Sequence, residues 1–132
     1  MPKRILVIDD ETINQKLIKN LLKGDQFEVV TVDNGTKGVK AYFDSIGKSP
    51  FDLILLDIVM PDMSGIEVLK KIREEEKSRG IKYGYGSSIP IIMLTASKES
   101  WMDAFDGGCD DYLLKPFKNE QILNKIKEKI NV

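Results

Sequence analysis

Acidic, hydroxyl and basic side chains follow four short apolar segments of the 132-residue sequence. Asp9 and Asp10 come directly after ILVI, and Asp57 comes directly after LILL. Thr95 follows IPIIML, and Lys115 follows YLL. If these segments are strands of one parallel sheet, the side chains meet at the edge formed by the strands' carboxyl ends, where open α/β sheets bind their ligands. Together they would have the composition of a reaction site.

Phosphoryl transfer is the chemistry that such a set would perform. Three ionised carboxylates in one place need a cation, and oxygen ligands with room for water and phosphate suit Mg²⁺. Lys115 adds a second positive charge against the charge of a phosphoryl group. A carboxylate can itself be the nucleophile and form an acyl phosphate. Thr95 would then donate a hydrogen bond to a phosphate oxygen.

Each of these residues also has an ordinary structural explanation. A lone Asp at a strand end usually forms a turn or caps a helix, and Asp10 is placed to cap the helix that contains Ile13. A lone Thr near a strand end is usually structural, and a lone Lys is usually a solvated charge. The grouping at four strand ends is what favours a site.

The elements that must position these side chains are short buried strands alternating with amphipathic helices. Several apolar segments are continuous, which is typical of strands covered on both faces. The predicted strands are ILVI (5–8), FEVVTV (27–32), LILL (53–56), IPIIML (89–94) and YLL (112–114). Apolar residues at helical spacing predict helices around 13–22, from Ser64 and around 122–130, with weaker signals after Gly35 and Ser97. Five strand–helix units predict an α/β protein whose parallel sheet has helices on both faces.

Composition excludes several classes of protein. Apolar residues make up 42% and charged residues 31%, which is ordinary for a globular domain, and we expect one domain over residues 1–132. A net charge of −1 gives no basic footprint for direct nucleic-acid binding. The absence of histidine excludes His-based metal sites and catalytic triads. No membrane span or signal peptide is visible, so the cytoplasm is the expected location.

Four motifs in this order resemble the receiver domain of two-component response regulators. They are VIDDE (7–11), LLDIVMPDMSG (55–65), IPIIMLTA (89–96) and DDYLLKPF (110–117), and they span nearly the whole chain. The resemblance implies a flavodoxin-like, doubly wound sheet of five parallel strands in the order 2-1-3-4-5, with five helices.

The resemblance also implies a role for each matching residue. Asp57 matches the phosphoacceptor, and Asp9 and Asp10 match the acidic pair that holds Mg²⁺ with Asp57. The remaining matches are the backbone carbonyl of Val59 as a metal ligand, Thr95 as the switch hydroxyl, Lys115 as the lysine that contacts the phosphoryl group, and Tyr112 as the aromatic switch residue. The bond between Lys115 and Pro116 is expected to be cis.

The implied function is signalling through Mg²⁺-dependent phosphoryl transfer to Asp57 from a phosphohistidine. The donor would be a histidine kinase or a histidine phosphotransfer protein, and the chain would catalyse only its own phosphorylation and dephosphorylation. Phosphorylation would change the face around the fourth helix, the fifth strand and the fifth helix, where an output protein binds. The candidate residues of that face are Lys98, Trp101, Tyr112 and Lys118.

Two other kinds of protein share part of this pattern. A haloacid-dehalogenase-like phosphatase also uses Asp, Mg²⁺, Thr or Ser and Lys, but it normally carries DxD after its first strand, where this sequence has Asp9, Asp10, Glu11 and Thr12. A receiver-like adaptor that takes no phosphate is a second alternative. The sequence is either a stand-alone receiver or a piece of a longer regulator or hybrid kinase.

The connector from Ser78 to Pro90 departs from the family pattern because it is longer than usual. Its three glycines and two tyrosines predict a mobile surface insertion or, alternatively, a tyrosine-bearing contact with a partner. It leads into the fourth strand, which places it at the end of the sheet opposite the site.

Overall fold

Five parallel strands form one sheet in the order β2-β1-β3-β4-β5. The structure is a computed structural model that describes residues 2–83, 86–96 and 101–130. The elements are β1 Lys3–Ile8, α1 Thr12–Leu21, β2 Phe27–Val32, α2 Gly35–Ser45, β3 Leu53–Asp57, α3 Gly65–Ser78, β4 Ile91–Thr95, α4 Trp101–Gly107, β5 Asp111–Leu114 and α5 Asn119–Ile130. The predicted fold class and strand order are confirmed.

The sheet is covered on both faces, which explains the continuous apolar strands. Neighbouring residues of a strand point to opposite faces, so β1 sends Leu6 and Ile8 into one core and Ile5 and Val7 into the other. One core contains residues of α2, α3 and α4, and the other contains residues of α1 and α5. Burial of every residue of β3 and β4 follows from this arrangement.

Helix α1 buries a narrower stripe than its apolar spacing predicts. Ile18 and Leu22 are buried, whereas the side chain of Ile13 is 78% exposed. The cap position is held by Glu11, whose side chain makes no capping hydrogen bond. The structural alternative for Asp10, a helix cap, therefore does not hold, because the helix begins one residue later than such a cap requires.

Contacts at the starts of helices α2 and α3 hold the segment that follows Asp57 in place. As predicted, α3 starts after Ser64, whose hydroxyl accepts a hydrogen bond from the Glu67 N–H at 3.2 Å. A Cβ on Gly65 would lie 2.1 Å from the carbonyl oxygen of Asp57, so only glycine permits this close approach. Asp62 accepts hydrogen bonds from the backbone N–H groups of Gly35 and Thr36 at the start of α2, each at 3.0 Å.

The described part of the connector is attached to the domain, so it is not the loose insertion that its composition predicts. The hydroxyl of Tyr83 donates to the carbonyl of Cys109, and the Arg73 guanidinium lies 4.9 Å from the centre of the Tyr83 ring. Glu76 accepts a hydrogen bond from the Ile89 N–H at 2.6 Å. Strand β4 begins at Ile91, later than predicted. The Ile89 N–H already donates to Glu76, and Pro90 has no N–H to donate to a neighbouring strand. Tyr85 lies outside the described residues.

Candidate functional site

The predicted site residues lie at the carboxyl edge of the sheet. Asp57 is the last residue of β3 and pairs with Leu94, so Thr95 is one residue further along β4. Thr95 pairs with Leu114, which places Lys115 immediately after that position, and the Lys115 N–H donates to the Thr95 carbonyl at 2.7 Å. Asp9 follows β1 directly. Strand register alone therefore brings these residues together from four strands.

The ammonium group of Lys115 is shared by three carboxylates. Its Nζ lies 2.9 Å from Glu11 Oε1, 3.1 Å from Asp57 Oδ2 and 3.4 Å from Asp9 Oδ2. The Lys115 side chain is 14% exposed, so these contacts form in a largely desolvated position. An open cleft of about 400 Å³ lies beside it, between the start of α1 and the segment after β5.

Four carboxylates surround one point at this edge. Asp9, Asp10, Glu11 and Asp57 each offer an oxygen atom within 4.8 Å of the others. Asp9 and Asp57 are buried, whereas Asp10 and Glu11 are exposed. Lys115 supplies one positive charge against these four groups, and oxygen donors of this kind suit a hard divalent cation such as Mg²⁺. The side chains therefore fit the predicted ion.

Glu11 is the member of this cluster that sequence reasoning missed. The prediction stopped at the acidic pair, Asp9 and Asp10, although Glu11 is the next residue. Its backbone N–H donates to Asp9 Oδ1 at 2.9 Å, which keeps the segment tightly turned at the end of β1. Three successive acidic residues after a strand were the available signal.

Burial and charge shift the acid–base behaviour of the central pair. Burial, followed by the negative charge of Asp9, raises the pKa of Asp57 to about 7, although Lys115 and the Val59 N–H oppose the shift. Burial acts to lower the pKa of Lys115, but its hydrogen bond to Glu11 and the charges of Asp9 and Asp57 raise it overall. In the absence of a cation, the protein thus disfavours ionisation of Asp57.

We expect the free energy of unfolding in EDTA to fall as the pH rises toward 8, because Asp57 binds a proton more tightly in the folded chain. The pKa of the Asp57 carboxyl is 3.8 in the unfolded chain and about 7 in the folded chain. Protonation of Asp57 therefore stabilises the folded chain between these two values, and this stabilisation is lost as the pH rises through about 7. Between pH 5.5 and 8, wild type should lose about 2 kcal/mol more than Asp57→Asn. Urea unfolding at both pH values measures this difference, and parallel profiles for the two proteins would contradict it.

The remaining predicted residues take positions consistent with the sequence. Thr95 is buried, and the half-buried Tyr112 ring packs edge-on against Phe105 of α4, with centroids 6.1 Å apart. The Lys115–Pro116 bond is cis, as the resemblance implies. Lys118 is exposed. Lys98 and the side chain of Trp101 lie outside the described residues.

Residues 5–127 match the family of the response regulator receiver domain. The chain belongs to this family. It is therefore a receiver domain of two-component response regulators, and receiver domains are signalling domains rather than conventional enzymes. The match over residues 5–127 favours a receiver domain over the phosphatase alternative. Within the described ranges, this receiver domain has no helix that is both long and apolar enough to cross a bilayer.

Known proteins similar to this receiver domain include regulators and solved receiver structures. The transcriptional regulatory protein SrrA of Staphylococcus aureus is 33% identical over 129 residues, which make up 96% of this chain and 47% of SrrA. This chain thus spans about half the length of the curated relatives that it matches. The response regulator TrrA of Thermotoga maritima, solved in complex with Mg²⁺-BeF, is 34% identical over 96% of this chain and 97% of that one, with a TM-score of 0.77.

A third similar structure is a complex. It contains the histidine phosphotransfer signalling protein Ypd1 of Saccharomyces cerevisiae and the receiver domain of its downstream response regulator Ssk1. The match is 30% identical and covers 98% of this chain and 90% of that one, with a TM-score of 0.85.

Proposed function

We propose that this receiver domain accepts a phosphoryl group on the carboxylate of Asp57. The observation that carries the proposal is the position of this carboxylate at the carboxyl edge of the sheet, 3.1 Å from the Lys115 ammonium and within the four-carboxylate cluster. Burial of an acidic side chain that is only 4% exposed costs free energy, so its position indicates a functional role for the carboxylate. Acceptance of a phosphoryl group, with cations to balance the negative charge, is such a role.

The transfer is an in-line displacement at phosphorus. An oxygen of Asp57 forms the new O–P bond as the P–N bond of a phosphohistidine breaks, and the bonding electrons leave with the imidazole nitrogen. Lys115 offers its ammonium to the phosphoryl oxygens, on which negative charge is concentrated. The hydroxyl of Thr95, one register position beyond Asp57, donates a hydrogen bond to the phosphoryl group that results.

Asp9, Asp10, Asp57 and the backbone carbonyl of Val59 would hold Mg²⁺ in this site. When bound, this ion neutralises negative charge on the phosphoryl group and lowers the repulsion among the carboxylates. The observation that supports the assignment is the cluster of four carboxylates, three of which share the Lys115 ammonium.

The phosphoryl donor is a histidine kinase or a histidine phosphotransfer protein. This sequence has no histidine, so the donor imidazole lies outside residues 1–132. The likeness to a yeast receiver domain crystallised with a histidine phosphotransfer protein supports this class of partner. The open cleft beside Lys115 leaves room for an approaching side chain.

Phosphorylation then shifts the population of two conformations of the domain. The added phosphoryl group carries negative charge and strong hydrogen-bond acceptors, which draw the Thr95 hydroxyl toward Asp57. Tyr112 moves into the space that is vacated, and the surface formed by α4, β5 and α5 changes with it. The contact between the Tyr112 and Phe105 rings, which joins β5 to α4, supports this coupling.

A transfer assay from phosphorylated histidine kinases tests the proposal. Kinases autophosphorylated with radiolabelled ATP are mixed with wild type, with Asp57→Asn, and with wild type in EDTA. We expect label on wild type alone, with one kinase transferring much faster than the others. Label on the Asp57→Asn chain, or transfer that is equally fast in EDTA, would contradict the proposal.

A further inference from the structure

Glu11 makes the shortest of the three carboxylate contacts to Lys115. Its Oε1 lies 2.9 Å from the ammonium nitrogen, against 3.1 Å for Asp57 and 3.4 Å for Asp9. We propose that Glu11 is a positioning residue, which holds the Lys115 ammonium where the phosphoryl group arrives on Asp57. This inference rests on the proposed function, since it assigns a residue that prepares the same site.

Glu11 is the carboxylate that remains available to Lys115 during the reaction. Asp9 already accepts hydrogen bonds from the Glu11 N–H and from the Asn14 side chain, at 2.9 and 3.3 Å. Asp9 and Asp57 would also bind the divalent cation, which reduces their attraction for the ammonium. The lysine side chain is a flexible four-carbon stem, so an ammonium without a fixed partner samples several positions. Glu11 restricts it to the mouth of the site.

The negative charge of Glu11 has two opposite effects on the rate of phosphoryl transfer. It repels an anionic phosphodonor, and it holds the lysine that attracts the same donor. The Glu11 side chain is 57% exposed, so its long-range repulsion is screened by water and salt. Its hydrogen bond to the 14%-exposed Lys115 is a direct contact between charged groups and is screened less. The positioning effect therefore dominates, and removal of the charge should slow the transfer.

The test is a double-mutant cycle that combines Glu11→Gln with Lys115→Ala. With acetyl phosphate and saturating Mg²⁺, Glu11→Gln should lower the maximal phosphorylation rate by about three- to tenfold, because the ammonium is no longer held in line. In the Lys115→Ala background, the same change should leave the rate unchanged or slightly raised. Asp44→Asn is the control for the loss of one exposed carboxylate charge, because Asp44 pairs with Lys40 outside the site. An equal loss in both backgrounds would overturn the proposal, since Glu11 would then act without Lys115.

Two further readouts separate positioning from metal binding and from the chemistry itself. Calorimetric titration with Mg²⁺ should give dissociation constants within about twofold for wild type and Glu11→Gln, and a large loss of affinity would make Glu11 a metal ligand instead. Hydrogen exchange of the Lys115 ammonium, followed by NMR in Mg²⁺, should become faster in Glu11→Gln and stay unchanged in Asp44→Asn. An unchanged exchange rate in Glu11→Gln would overturn the inference. A wild type that takes no phosphate would contradict the proposed function, while the exchange rates would still decide the role of Glu11.

Discussion

Replacement of Lys115 by alanine should slow the phosphorylation of Asp57 by about 100-fold, the usual effect of removing one preorganised charge or donor from a transfer site. The ammonium lies 3.1 Å from Asp57 Oδ2 and is, among the described residues, the positive group in contact with the acidic cluster. Its loss removes the positive charge that attracts the phosphoryl oxygens in the transition state of the transfer. It also raises the pKa of Asp57 further, because Lys115 lowers that pKa at present.

The matched control for this prediction is Lys125→Ala. Lys125 also forms an ammonium–carboxylate contact, at 2.9 Å to Asp111, but that pair joins α5 to the start of β5. Rates are measured from intact mass over time, with acetyl phosphate at several concentrations and Mg²⁺ in excess. We expect wild-type rates for Lys125→Ala. If Lys115→Ala is phosphorylated as fast as wild type, the role assigned to the ammonium is wrong.

Replacement of Arg73 by alanine should lower the free energy of unfolding by about 3 to 5 kcal/mol, because it leaves a buried charge without its partner. The guanidinium donates to Glu76 Oε1 at 2.7 Å, to Asp110 Oδ2 at 2.9 Å, and to the carbonyls of Gly108 and Ile89, each at 2.8 Å. The Glu76 side chain is only 3% exposed. Arg73 thus joins α3, the end of the connector and the entry to β5 at the edge of the sheet opposite the site.

Tyr83→Phe is the control for the Arg73 prediction. It keeps the ring beside the guanidinium and removes only the hydroxyl that donates to Cys109, so we expect a loss of about 1 kcal/mol. Urea unfolding followed by circular dichroism compares the variants with wild type. A loss for Arg73→Ala no larger than that for Tyr83→Phe would show that the network adds little stability.

The main features of the fold and of the site follow from local patterns. Continuous apolar strands alternating with helices require a parallel sheet, and a parallel sheet collects its strand ends at one edge. Asp9, Asp57, Thr95 and Lys115 are therefore brought together by chain direction and register, without any detail of packing. The cap at Ser64 was equally predictable, because it depends on neighbours in the sequence.

Features that depend on packing between distant segments were not predictable in this way. Ile13 has the spacing of a core residue, but the sheet covers only the side of α1 that carries Ile18 and Leu22. The ion pair between Arg73 and Asp110 joins residues 37 positions apart, and no local pattern marks it. The connector looked loose because its composition is typical of a loop, whereas Tyr83 attaches it through contacts with Arg73 and Cys109. The contact between Glu11 and Lys115 spans 104 positions.

Intact mass spectrometry after incubation with acetyl phosphate tests the central claim, that Asp57 accepts a phosphoryl group. With Mg²⁺, wild type should gain about 80 Da, the mass of one phosphoryl group, and the gain should disappear in EDTA. Asp57→Asn should gain nothing under the same conditions. An unchanged wild-type mass, with Mg²⁺ binding established by calorimetry, or an equal gain in Asp57→Asn, would contradict the account.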